Sequence, residues 1–92
     1  MKSQKITKEL KILNKYGIHA RPAAIFVKTA SQYESDIIIE KDGNKVSGKS
    51  IMGLMTLEAS CGTVLKVTVE GIDAEELLSE LEQLVLSKFD EE

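Results

Sequence analysis

Segments whose apolar residues have the spacing of a strand alternate along this chain with segments that have the spacing of a helix. The strand-like segments lie at residues 5–13, 36–41, 44–47 and 64–70, and the helix-like segments lie at 20–32, 50–57 and 73–85. Four short strands interrupted by three helices, with one hairpin, suit an antiparallel sheet that carries its helices on one face. The order βαββαβα therefore predicts an open-faced α/β (α+β) sandwich.

Turn and cap residues support these boundaries. Asp42-Gly43 predicts a hairpin turn, because glycine accepts the positive φ of a tight turn. Pro22 suits the first turn of a helix, which places His19 at or just before the N-cap. Ser50 is a favourable N-cap for the short helix. Asp73, followed by a glutamate three residues later, resembles a capping box at the start of the last helix.

Length and composition are those of an ordinary globular domain. The 92 residues, 42% apolar and 29% charged, suffice for one domain, residues 1–92, and are too few for two. No apolar run approaches the roughly 20 residues of a membrane-spanning helix, and the N-terminus lacks an apolar signal segment. The single cysteine, Cys61, has no disulfide partner in the chain. We expect a cytoplasmic monomer without membrane insertion.

The net charge is −3, but the charged residues are distributed unevenly along the chain. Residues 1–69 carry 11 basic and 6 acidic side chains, giving +5, whereas residues 70–92 carry 1 basic and 9 acidic side chains, giving −8. The acidic end argues against general nucleic-acid binding, which needs a basic face. We interpret this end as the solvated face of a helix.

The only histidine, His19, stands at the predicted start of a helix. Free backbone N–H groups and the positive end of the helix dipole favour an anion there, and Arg21 adds a cation shaped for phosphate oxygens. A neutral imidazole also has one ring nitrogen free to act as a nucleophile. The spacing alone leaves two interpretations open: a surface or capping histidine without function, which it favours, and phosphoryl transfer through His19. With one histidine and one cysteine, we expect no metal site and no cofactor.

A second candidate site surrounds the predicted N-cap Ser50. A phosphate on that hydroxyl is tolerated at a helix N-terminus. Ile51, Met52 and Met55 form an apolar group in which methionine adapts to varied partner surfaces. The alternative is a plain N-cap followed by a helix that turns Ile51, Leu54 and Met55 toward the core.

A nucleotide-binding loop is the third candidate. From Gly43 to Ser50 the chain matches G-x-x-x-x-G-K-[ST] in full. That loop must follow a buried parallel strand and open a long helix, whereas Gly43 belongs to the predicted hairpin and the next helix is short. The sequence therefore disfavours this interpretation.

Two segments resemble a known family. Residues 17–24, GIHARPAA, closely resemble the active-site signature of HPr, the phosphocarrier of the bacterial phosphoenolpyruvate-dependent phosphotransferase system. Residues 49–57, KSIMGLMTL, resemble its regulatory-serine segment, and the two segments stand at the family's mutual distance. The resemblance covers nearly the whole chain and implies the HPr fold.

The resemblance implies a mechanism and partners. Enzyme I, charged from phosphoenolpyruvate, would phosphorylate His19 at Nδ1, Arg21 would steady the phosphate, and an EIIA protein would receive it. HPr kinase/phosphorylase would modify Ser50. The partners would dock around His19 on a surface that comprises Ala20, Ala24, Lys28, Ile51, Met52 and Met55.

Several residues depart from the family pattern, so the sequence leaves open whether the chain belongs to the sugar-system branch or to the nitrogen-related branch. Glu58 stands where many members have glycine after the short helix, and Tyr16 stands where sugar-system members carry a small polar residue. Residues 14–17 and 88–92 resemble NPr, the nitrogen-related paralogue, whereas residues 49–53 resemble kinase-regulated HPr. An alternative function is a regulatory binding module of this fold without a transport role. Members of that kind lack the active histidine, which is present here.

Overall fold

A computed structural model describes residues 2–91 and contains four strands and three helices. The elements are β1 (Gln4–Lys11), α1 (Ala20–Ala30), β2 (Asp36–Lys41), β3 (Asn44–Ser47), α2 (Ile51–Thr56), β4 (Val64–Gly71) and α3 (Ala74–Leu86). A single turn, Lys88–Asp90, follows α3. The element order and the fold class predicted from the sequence are confirmed.

The four strands form one antiparallel sheet in the order β1-β4-β2-β3. In β4, Leu65, Val67 and Val69 are buried, whereas Lys66 and Glu70 point to the opposite face and are exposed. Because successive side chains alternate between the faces of a strand, one face of the sheet meets the helices and the other meets solvent. The strand-like alternation of residues 64–70 is confirmed.

The helices bury the inner face of the sheet in one apolar core. The buried residues of α1 include Ala23, Phe26 and Ala30, and α3 contributes Leu77 and Leu81. The burial recurs every three or four residues, which is the stripe expected of a helix on a core. No helix within residues 2–91 has the length and apolar character that a membrane crossing requires.

Two local expectations need correction. Helix α1 ends at Ala30, with Ser31 as its C-cap, and does not continue to residue 32. In α2 only Leu54 is buried, because the short helix turns a single residue inward and leaves Ile51 and Met55 exposed. Glu58, which stands where many family members have glycine, adopts the left-handed conformation with φ 53° and so takes the place of that glycine after α2.

Asp73 does not form the predicted capping box. It is the N-cap of α3, but its carboxylate makes no capping bond. Instead it accepts hydrogen bonds from the Ser35 hydroxyl and from the backbone N–H groups of Glu34 and Ser35, both at 2.9 Å. These donors, the hydroxyl foremost, hold the pKa of Asp73 below its usual value of 3.8. The carboxylate therefore joins the start of α3 to the loop before β2.

We expect Asp73→Asn to weaken folding at neutral pH. Because the folded-state pKa is depressed, the stabilisation is present above the usual value of 3.8 and is lost as the pH falls through the lower, folded pKa. Urea unfolding at about pH 7 and about pH 2.5 should show a gap between wild type and variant that narrows at the lower pH. Asp36→Asn, which neutralises an exposed carboxylate on β2, is the matched control. If it lowers the free energy of unfolding as much as Asp73→Asn does, the three donors to Asp73 do not stabilise the fold.

Candidate functional site

The loop between β1 and α1 is held against the chain that follows α2. Gly17 has φ +69°, and a Cβ at that position would lie 2.2 Å from the carbonyl oxygen of Ala59. The backbone N–H of Ile18 donates to the same oxygen at 2.8 Å. Since only glycine permits both this φ and this approach, the loop has one position relative to Ala59. That position fixes where the next helix begins.

His19 is the N-cap residue of α1, as predicted. Its backbone is extended, with φ −94° and ψ −168°, and its carbonyl accepts the first helical hydrogen bond from Ala23 at 3.0 Å. The imidazole makes no capping bond, so it does not compete for the amides of the first turn. The side chain is 42% exposed. An accessible imidazole therefore lies at a helix end whose N–H groups can meet an anion.

A cleft of about 400 Å³ opens beside His19 and brings opposite charges together. Its lining residues are Lys15, Tyr16, Arg21, Asp90 and Glu91. Arg21 is exposed in the first turn of α1, and its guanidinium makes no ion pair with any residue of the described range. A free guanidinium in a cleft next to an imidazole is suited to receive a phosphoryl group.

Residues 6–87 match the sequence profile described as PTS HPr component phosphorylation site. The chain belongs to the HPr family. It is 45% identical over 87 residues to the phosphocarrier protein HPr of Treponema pallidum, covering 95% of this chain and 99% of that one. It is 45% identical over 76 residues to the HPr-like protein Crh of Bacillus subtilis, covering 83% and 89%. The crystal structure of HPr from Thermoanaerobacter tengcongensis superposes with a TM-score of 0.85 at 53% identity, covering 97% and 98%.

Membership of the HPr family identifies the chain as a phosphocarrier of the phosphotransferase system. The structure also argues against the nucleotide-binding loop, the third candidate site of the sequence analysis. Gly43, with φ +83°, and Asp42, with φ 50°, form the turn between the antiparallel strands β2 and β3. A phosphate-binding loop needs a parallel strand before it and a long helix after it, so this segment lacks the necessary context.

The second HPr-like segment forms the start of α2. Ser50 is its N-cap, and its hydroxyl accepts a hydrogen bond from the backbone N–H of Gly53 at 2.9 Å. Helices α1 and α2 pack against each other. All the residues predicted to form the docking surface are exposed on these two helices, namely Ala20, Ala24, Lys28, Ile51, Met52 and Met55.

Tyr16, a departure from sugar-system HPr, stands at the rim of the cleft. It is 71% exposed, and its ring meets the His19 ring edge-on at a centroid distance of 6.5 Å. The ammonium of Lys15 lies 5.3 Å from the Tyr16 ring centroid. The Tyr16 ring adds apolar surface beside His19, and the Lys15 ammonium that lies near this ring adds a positive charge.

Two side chains of the site were not predicted. Glu91 Oε2 lies 2.9 Å from His19 Nε2, and Asn14 Nδ2 donates to Glu91 Oε1 at 3.1 Å. The sequence alone predicts a solvated face for the acidic end and a loop for residues 14–17. No local pattern connects Glu91 to a histidine 72 residues away, so only the tertiary fold reveals this contact.

Proposed function

We propose that this HPr family protein accepts a phosphoryl group on Nδ1 of His19 from phosphorylated Enzyme I and transfers it to an EIIA protein. Phosphoenolpyruvate is the original donor. The proposal depends on one observation: the accessible His19 imidazole stands at the N-cap of α1, and the Arg21 guanidinium, which makes no ion pair within residues 2–91, lines the adjoining cleft. We also propose that the protein acts in the cytoplasm as one domain comprising residues 1–92.

Phosphoryl transfer requires few catalytic groups from the carrier itself. Phosphoryl transfer depends mainly on positioning and electrostatic stabilisation. The helix N-terminus contributes oriented amides and the positive end of the dipole, and Arg21 contributes a planar fork of donors. The donor and acceptor proteins supply the remainder of the site, which explains how a chain of 92 residues can carry the group.

The exposed patch on α1 and α2 supports docking of both partners. It combines small residues near His19, Ala20 and Ala24, with large apolar side chains, of which Met52 is 74% exposed. A group of neighbouring apolar side chains that reach water marks an interaction surface, whereas scattered ones do not, and methionine adapts its shape to different partners. Lys28 adds a positive charge suited to an acidic partner surface.

Incubation with phosphoenolpyruvate and Enzyme I tests the proposal. The chain should gain one acid-labile phosphoryl group, detected by mass spectrometry at neutral pH and lost on brief acidification. Addition of a sugar-type or a nitrogen-type EIIA should then discharge it, and the faster acceptor assigns the branch. A chain that gains no phosphate from active Enzyme I would contradict the proposal and favour a regulatory binding module.

Arg21→Lys should slow transfer to and from His19 and leave folding unchanged. Lysine keeps the charge but replaces a bidentate fork with a point charge. The loss of one charge-assisted hydrogen bond corresponds to a slowing of about tenfold. Rapid-quench kinetics measure the rate, and urea unfolding confirms the fold. Unchanged kinetics would remove Arg21 from the mechanism.

We propose regulatory phosphorylation of Ser50 as a second activity of the same protein. Ser50 is half-buried at the N-cap of α2, beside the exposed residues Ile51 and Met52. A dianion there is tolerated by the helix terminus but adds charge to an apolar docking patch, which weakens binding of Enzyme I. HPr kinase/phosphorylase with ATP should label wild type and not Ser50→Ala. Labelling of both would place the modification elsewhere.

A further inference from the structure

The C-terminal residues bring a carboxylate onto the phosphoryl acceptor. After α3 the chain makes a left-handed turn in which Lys88, Phe89 and Asp90 have φ of 56°, 55° and 58°. Three successive non-glycine residues rarely adopt this conformation, because each meets steric strain. Phe89 is 1% exposed and anchors the turn in the core. The turn directs Glu91, whose side chain is 18% exposed, toward His19.

Asn14 holds the same carboxylate from the other side. Its side chain is 1% exposed, and its Nδ2 donates to the Gly17 carbonyl at 2.6 Å and to Glu91 Oε1 at 3.1 Å. Both partners are acceptors only, so the amide must present its NH₂ group to them. Its oxygen is left buried without a partner in the described part of the chain. The orientation of Asn14 is therefore fixed, and with it the orientation of the carboxylate.

We propose that Asn14 and Glu91 are positioning residues that select the tautomer of His19. A carboxylate accepts hydrogen bonds and cannot donate them, so His19 Nε2, 2.9 Å from Glu91 Oε2, carries the proton. In a neutral imidazole the other nitrogen, Nδ1, then holds the free lone pair. This inference rests on the proposed phosphoryl transfer at His19.

The selected tautomer matches the proposed step. The bond from phosphorus to Nδ1 forms as the bond from phosphorus to the donor group of Enzyme I breaks, and no proton has to leave Nδ1. The ring gains positive charge in this step, because Nε2 keeps its proton. The Glu91 carboxylate lies at that nitrogen and offsets the charge. On discharge to EIIA the same proton stays on Nε2 and the lone pair returns to Nδ1.

Glu91→Gln should reverse this arrangement. Asn14 donates to one atom of residue 91, so the glutamine oxygen takes that position and its NH₂ group faces His19 Nε2. Nε2 then becomes an acceptor and the proton moves to Nδ1, where it occupies the nucleophilic lone pair. Glu91→Ala removes the contact without reversing it. We therefore expect the glutamine variant to be slower than the alanine variant.

The test combines a tautomer measurement with kinetics. Long-range ¹H–¹⁵N NMR spectra of the unphosphorylated protein, recorded at a pH where His19 is neutral, report the fraction protonated at Nε2. We expect this fraction to be highest in wild type and lowest in Glu91→Gln. Phosphorylation by Enzyme I should slow about tenfold in Glu91→Gln and less in Glu91→Ala. Glu75→Gln, the same charge change on an exposed residue of α3, is the matched control and should leave both readouts unchanged.

Two results would overturn the proposal. One is an unchanged His19 tautomer in Glu91→Gln, and the other is equal slowing by Glu91→Gln and Glu75→Gln. Urea unfolding of each variant distinguishes a general loss of stability from a specific loss of the hydrogen bond that orients His19. The tautomer measurement needs no Enzyme I, so absence of phosphorylation in wild type would contradict the proposed function and not this assignment.

Discussion

His19→Ala should abolish phosphorylation by phosphoenolpyruvate and Enzyme I, leaving no acid-labile phosphate on the chain. The reason is chemical: the variant lacks the ring nitrogen that forms the bond to phosphorus, and it is the only histidine in the sequence. The amides of α1 and Arg21 remain, but they bind the group without accepting it. Mass spectrometry of the intact protein after incubation measures the effect.

The His19 substitution should not disturb the fold. The imidazole is 42% exposed and gives no capping bond to α1, so its removal costs mainly the hydrogen bond to Glu91, about 0.5–1.5 kcal/mol. Urea unfolding should show a cooperative transition with a midpoint only slightly below that of wild type. If a folded His19→Ala variant is labelled as well as wild type, another residue is the acceptor and the proposed function is wrong.

The fold was predictable because its signals are local. The alternation of Leu65, Val67 and Val69 and the turn residues Asp42-Gly43 each identify an element within a few residues. The bounds of β2 and β3 agree with the structure for the same reason. The end of α1 was predicted two residues too late, because the residues after Ala30 favour neither a helix nor a break strongly enough.

The contacts that escaped prediction join distant parts of the chain. Asp73 and Glu76 have the spacing of a capping box, yet Asp73 binds Ser35, 38 residues earlier. Glu91 lies in an acidic end that resembles any solvated tail, and its position depends on the burial of Phe89 and on a left-handed turn without glycine. His19 and Arg21 were found because helix-end chemistry is local, whereas Asn14 and Glu91 were missed because tertiary packing creates their role.

Gly17→Ala should cause the largest loss of stability among the single substitutions considered. A left-handed alanine costs about 1–2 kcal/mol. The new Cβ would also lie 2.2 Å from the Ala59 oxygen and 2.7 Å from Ser60 Cα. These are backbone atoms that cannot rotate away, so the overpacking adds about 1–3 kcal/mol. The sum, about 2–5 kcal/mol, is a large part of the 5–15 kcal/mol that stabilises a typical domain.

The matched control isolates the contact with Ala59. Gly43→Ala has a comparable backbone penalty, at φ +83°, but no atom lies within 4 Å of its Cβ. Urea unfolding should therefore show Gly17→Ala to be less stable than Gly43→Ala by at least about 1 kcal/mol. Because Gly17 fixes the loop two residues before His19, Gly17→Ala should also slow phosphorylation even where it remains folded, whereas Gly43→Ala should not. Equal destabilisation by both variants would mean that the approach to Ala59 does not hold the phosphoryl acceptor in place.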